Sequence, residues 1–114
     1  MVFAGDVVHV STAALQVIET DDLLISPAVV LELHYLYETK RVGTNANAVI
    51  EDLRHRVDLH VCDLPFPDVA SRALGLSWTR DPFDRLIVAQ AAVRDTKLVT
   101  KDRVLRKRYS ACVW

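Results

Sequence analysis

Cysteine is scarce in this chain: its 114 residues hold two, Cys62 and Cys112, and they form no C-x-x-C pair. Neither count nor spacing suits a disulfide framework or a cysteine zinc site, and a reducing compartment fits best. Glycine is scarce as well, with three residues. No G-x-G-x-x-G, P-loop or G-x-S-x-G sequence occurs, which weighs against a nucleotide-cradling loop and a nucleophile elbow. No apolar run approaches the roughly 18 residues of a membrane span, and no basic segment leads into an apolar one at the start. The expectation is a soluble cytoplasmic protein without a membrane partner. Repeats, low-complexity tracts and Gly/Ser linkers are missing too.

What is present is ordinary globular material, 51% hydrophobic and 25% charged, enough for one domain spanning residues 1–114 with a real core. A formal net charge of -1 excludes a uniformly basic nucleic-acid binder. The charge is uneven, however. Residues 1–57 hold 4 Lys/Arg against 8 Asp/Glu, and residues 58–114 hold 10 against 7. A phosphate-facing surface is therefore expected mainly from the second half.

Strands and helices alternate along the chain. Ser11 and Thr12 cap an amphipathic helix reaching Thr20, and Leu23 to Ile25 reads as a buried strand. Ser26 and Pro27 open a helix to about Lys40, with Gly43 after it. A helix over about 44–56 precedes an alternating strand, Val57 to Val61, which Pro65 and Pro67 break. A short helix from Asp68 to Leu74 and a loop over 75–80 lead to Asp81-Pro82, which opens the most apolar helix, ending near Asp95. Lys97 to Thr100 is a brief strand, Asp102 starts a basic turn or helix, and Ala111 to Trp114 reads as a last strand. This order implies an α/β fold with a mostly parallel sheet covered on both faces. In such sheets the ligand site lies beyond the carboxyl ends of the strands.

Several acids sit where a carboxylate is costly. Glu32 shares a helical face with Val29, Tyr35 and Leu36, so it must be protonated, bound to a cation or paired, for instance with Arg85. Asp84 shares a face with Ile87, Val88 and Ala91. Helix capping accounts for Asp81 and competes as the role of Asp84, and Asp102 too could simply cap residues 103–108. Taken together, acids at one sheet edge would repel one another unless divalent cations lay between them. All-oxygen donors favour magnesium or manganese over zinc, and phosphodiester hydrolysis is the chemistry that such a site supports. His9, His34, His55 and His60 lack metal-ligand spacing and read as structural.

The stretch Asp81-Pro82-Phe83-Asp84-Arg85-Leu86-Ile87-Val88-Ala89-Gln90-Ala91, followed by Leu98-Val99-Thr100-Lys101-Asp102, resembles the signature of PIN-domain toxins of the VapC type. Leu24-Ile25-Ser26-Pro27 through Glu32 resembles the family's second strand and the helix with its glutamate. The segment from Ala4-Gly5-Asp6 to Ser11 resembles the family's region just after the first strand-helix turn. The resemblance implies a three-layer α/β/α sandwich and a magnesium- or manganese-dependent endoribonuclease, with Glu32, Asp84 and Asp102 as catalytic metal-site acids and Asp81 as an auxiliary acid that keeps its capping role. Thr100 would orient Asp102 or a metal-bound water. It also implies an RNA substrate, a cognate antitoxin in a type II pair and a homodimer.

One departure stands out. Family members open with an apolar strand ending in Asp-Thr or Asp-Ser, and Met1 to Gly5 ahead of Asp6 do not match that pattern. The expectation is an N-terminally truncated PIN-like domain lacking its first, central strand. The strands at 23–25 and 97–100 would then face a gap, and folding and activity would fail together. Two functions follow: a metal-dependent ribonuclease, or an inactive PIN remnant that binds an antitoxin or partner subunit. A receiver-like domain is disfavoured, because no acid follows an early apolar strand. Arg103, Arg106, Lys107 and Arg108 are candidates for holding RNA backbone or an acidic antitoxin surface, with a plain solvated face as the alternative. Trp78 is read as a core anchor before a base-stacking residue.

Overall fold

The computed structural model describes residues 2–4 and 22–114; the expected helix over 11–20, Asp6 and His9 lie outside these. The elements are β1 (Val2–Phe3), β2 (Leu24–Ile25), α1 (Pro27–Glu38), α2 (Ala46–Val57), β3 (His60–Val61), α3 (Phe66–Ala73), α4 (Pro82–Val93), β4 (Leu98–Val99), α5 (Arg103–Arg108) and β5 (Cys112–Val113). The strands form one parallel sheet in the order β3-β2-β1-β4-β5. Leu98 and Val99 are consecutive and both fully buried. Neighbouring strand residues point to opposite faces, so the sheet is covered on both sides, as a three-layer α/β/α sandwich requires.

The expected gap is filled. Val2–Phe3 lies at the centre of the sheet, with Val2 in register with Leu24 and Leu98, and Phe3 with Ile25 and Val99. The pairing continues one residue further, where the Ala4 amide donates to the Val99 carbonyl at 2.9 Å. The physical reason is backbone satisfaction. Two buried strands side by side would each leave a row of polar groups without partners, and a short apolar segment of strong β-formers satisfies both rows. The central strand thus comes from residues that the family pattern did not mark as a strand.

Two other boundaries move for local reasons. Val57 ends α2 instead of starting a strand, because Asp58 takes a left-handed backbone (φ 54°) and its amide closes on the carbonyls of Arg54 and Leu53. The strand is left with His60–Val61. Helix α3 starts at Phe66 rather than Asp68, since Pro67 is tolerated in a first turn, where its missing N–H costs nothing. The core gathers around Ile25, Val29, Leu59, Ile87, Leu98 and Val99. Trp78 is half-buried and packs against it, which bears out its reading as an anchor.

Candidate active site at the carboxyl edge of the sheet

Because every strand pair is parallel, all the carboxyl ends lie along one edge. Chain succession brings Ala4, Ser26 and Thr100 there, each just after its strand. All three are buried, at 9%, 1% and 0% exposure. Four residues separate the end of helix α4 from the start of β4 at the amino edge, so the first turn of α4 lies at the carboxyl edge. Helix α1 starts at that edge directly through Ser26.

Asp102 is held there by two devices. Its amide donates to the Thr100 hydroxyl at 3.1 Å, and its Oδ1 accepts from the amides of Val104 and Leu105 at 2.8 and 3.0 Å. Thr100 therefore fixes the backbone that presents Asp102, the orienting role expected for it. Asp102 is exposed, and its described side-chain hydrogen bonds all use Oδ1. Asp81 repeats the arrangement at α4. Its Oδ1 accepts from the amides of Phe83 and Asp84 at 2.9 and 3.4 Å.

The loop before α4 is pinned by its own chain: Thr79 accepts the Asp81 amide on its hydroxyl and the Arg85 Nε on its carbonyl, at 3.2 and 2.8 Å. Arg80 reaches back to the Ser77 carbonyl at 2.7 Å. Asp84 is half-buried in the first turn of α4, above buried Ile87, Val88 and Ala91. Glu32 is half-buried on α1, beside buried Val29 and Leu33. Helical side chains lean toward the N-terminus, which for Glu32 is the direction of the carboxyl edge.

Glu32, Asp81, Asp84 and Asp102 thus belong to elements that begin at one edge. They are not drawn into a closed cluster: among the described residues, no three His, Cys, Asp or Glu side chains form a group that could hold a metal ion. At the end of β1, where the family pattern calls for aspartate, stands Ala4.

Two residues matter more than sequence reasoning allowed. Ser26 caps α1 by accepting the Ala28 amide at 3.2 Å, and its hydroxyl donates to Gln90 Oε1 at 3.4 Å. Gln90 is buried, and its Nε2 has no hydrogen-bond partner among the described residues. The signal was a lone polar residue inside the apolar run Leu86 to Ala91.

Behind the site, burial raises the thiol of Cys112 to about 11, with Arg106 lowering it and Asp102 raising it. Tyr109, whose hydroxyl donates to the Thr96 carbonyl at 2.6 Å, is raised above its ordinary range, chiefly by burial and then by Asp95 and Cys112, against a lowering by Arg72.

Residues 5–110 match the PIN domain family. The chain belongs to that family, among its VapC-like toxins. It is 40% identical over 102 residues to Ribonuclease VapC22 of Mycobacterium tuberculosis (strain ATCC 25618 / H37Rv), an alignment covering 86% of this chain and 77% of that protein. The family match over residues 5–110 includes α1, α4, β4 and α5 and the four candidate acids Glu32, Asp81, Asp84 and Asp102. Among the described residues, no helix is long and apolar enough to cross a membrane.

Proposed function

We propose that this PIN domain is an endoribonuclease toxin that hydrolyses RNA phosphodiesters with magnesium or manganese, and that Glu32, Asp84 and Asp102 would hold the ion. The observation that carries the proposal is the pinning of Asp102. Two helix amides fix one carboxylate oxygen at the ligand-binding edge, and a buried threonine holds the backbone amide of the same exposed residue. The donors fit the ion in kind, since magnesium takes carboxylate oxygens and is bound by few protein ligands at a time. Carboxylates around such a site repel one another and close only on a cation. Bound there, the ion supplies an activated water and neutralises charge developing on the phosphate.

The chain's own residues do the positioning. Thr100 and the α5 amides orient Asp102, and Asp81 holds the first turn of α4, on which Asp84 sits. The similarity to a protein named a ribonuclease supports the substrate class. A cognate antitoxin and a homodimer complete the reading, in keeping with the VapC type.

The test is cleavage of single-stranded RNA with magnesium or manganese, stopped by chelator. Asp84→Asn should lower the rate by at least about a hundredfold, the order of several kcal/mol of lost charge stabilisation. Asp81→Asn should be milder, because asparagine caps a helix nearly as well. Undiminished cleavage by Asp84→Asn would remove Asp84 from the site and leave only its place in the α4 cap. No cleavage by the intact chain, together with tight antitoxin binding, would favour the inactive binding protein instead.

A further inference from the structure

The two cation-rich helices of this protein treat their charges in opposite ways. On α2, Arg54 and His55 pair with Glu51 at 3.2 and 3.5 Å, and Arg56 pairs with Asp52 at 2.6 Å. Every basic side chain in its last turn has an acid one turn back. Helix α5 carries Arg103, Arg106, Lys107 and Arg108, all exposed. None of these four is in an ion pair among the described residues. The helix has no acid of its own, and its cap Asp102 spends Oδ1 on the Val104 and Leu105 amides.

Stability accounts for only part of this arrangement. The helix dipole favours the three cations of the last turn but disfavours Arg103 in the first. Arg103 also stands three and four residues from Arg106 and Lys107, spacings at which like charges destabilise a helix by roughly 0.2 to 0.5 kcal/mol each. The placement is informative as well. At about 1.5 Å per residue the whole helix lies within about 9 Å of Asp102, near one Debye length at physiological salt. It runs from the carboxyl edge down beside β5, an edge strand of the sheet.

A polyanion approaching an acidic edge is repelled by the acids unless cations stand next to them. A protein partner would want an apolar or aromatic centre to its interface. On this helix the one exposed large apolar side chain is Val104. The balance favours a nucleic-acid backbone.

We propose that α5 is a phosphate rail: Arg103, Arg106, Lys107 and Arg108 grip the RNA backbone leading away from Asp102, independently of sequence. The assignment of RNA as the polyanion rests on the ribonuclease reading above. The rail itself is tested by binding and not by cutting.

The experiment uses the Asp84→Asn chain, so that RNA survives, and follows a fluorescent single-stranded RNA by anisotropy over about 50 to 300 mM KCl. For single strands, log K falls with log salt by about 0.7 per phosphate neutralised, so changing all four cations to Gln should flatten the slope by up to about 2.8. Binding at the lowest salt should weaken more than about tenfold. The Arg54→Gln/Arg56→Gln chain should keep the parent slope, and four Arg/Lys exchanges on α5 that conserve charge should keep it too. Circular dichroism checks that each variant is folded.

An unchanged slope in the folded fourfold variant, or no RNA binding by the parent, would overturn the rail. So would loss of binding to a polyglutamate peptide with RNA binding intact, which would assign α5 to an acidic protein. If the wild-type chain cuts RNA but the slope does not move, the nuclease reading stands and the rail falls. If the slope flattens but no condition gives cleavage, the rail stands and the nuclease reading falls.

Discussion

Asp102 has two jobs that a pair of substitutions separates. As N-cap of α5 it accepts two amide hydrogen bonds, at 2.8 and 3.0 Å. Removing such a cap costs about 1 kcal/mol, within a range of about 0.5 to 2. For a domain of this length that lowers Tm by roughly 4 °C. Asp102→Ala should show this loss. Asp102→Asn keeps an oxygen in the same place and should lose less than half as much, mainly the favourable interaction of a negative charge with the helix start.

The metal-site role responds differently, because the amide is a neutral and poor ligand for magnesium. Both variants should lose RNA cleavage by at least about a hundredfold. The assays are thermal unfolding by circular dichroism and magnesium-dependent cleavage of single-stranded RNA, on the same preparations. Full cleavage by Asp102→Asn would refute the metal-site assignment. An unmoved Tm in Asp102→Ala would refute the capping geometry.

Among the described residues, the buried side-chain amide of Gln90 makes one weak bond and leaves Nε2 without a partner. An orphaned donor costs about 1 to 3 kcal/mol, so Gln90→Met, similar in volume, should raise Tm by a few degrees; a drop of several degrees would mean that the amide has a partner. Cys112, raised to about 11, should be alkylated by iodoacetamide at pH 8 far more slowly than a free thiol in a Cys62→Ala background. With the native thiol ionising later than the unfolded one, its stabilising contribution is present below the ordinary thiol value and is lost as pH rises toward 11. Asp102→Asn should speed the alkylation and Arg106→Gln should slow it, and rates matching a free thiol would refute the burial.

The sequence by itself determined the order of elements from β2 onward, the starts of the three helices behind Ser26, Asp81 and Asp102, and the presence of acids on apolar helix faces, because these are short-range matters. Ser26-Pro27, Asp81-Pro82 and Asp102 announce helix starts through the few donors and acceptors within three residues of each. The alternation of apolar strands with helices is enough to require a parallel sheet with a carboxyl edge. Glu32 and Asp84 are visible as acids on apolar faces.

What the tertiary structure decided depends on partners far apart in the chain. Val2–Phe3 reads as an unremarkable pair, and it becomes the central strand only because β2 and β4, some 20 and 95 residues later, each offer an open edge. The Ser26 to Gln90 bond spans 64 positions and leaves no local pattern. The four cations of α5 and the acids one turn back from the cations of α2 are plain in the sequence, but that no acid of another element pairs with the α5 cations among the described residues follows from where the chain folds. Local chemistry writes caps and turns into neighbouring residues; strand pairing and charge neutralisation are settled by whatever the fold brings alongside.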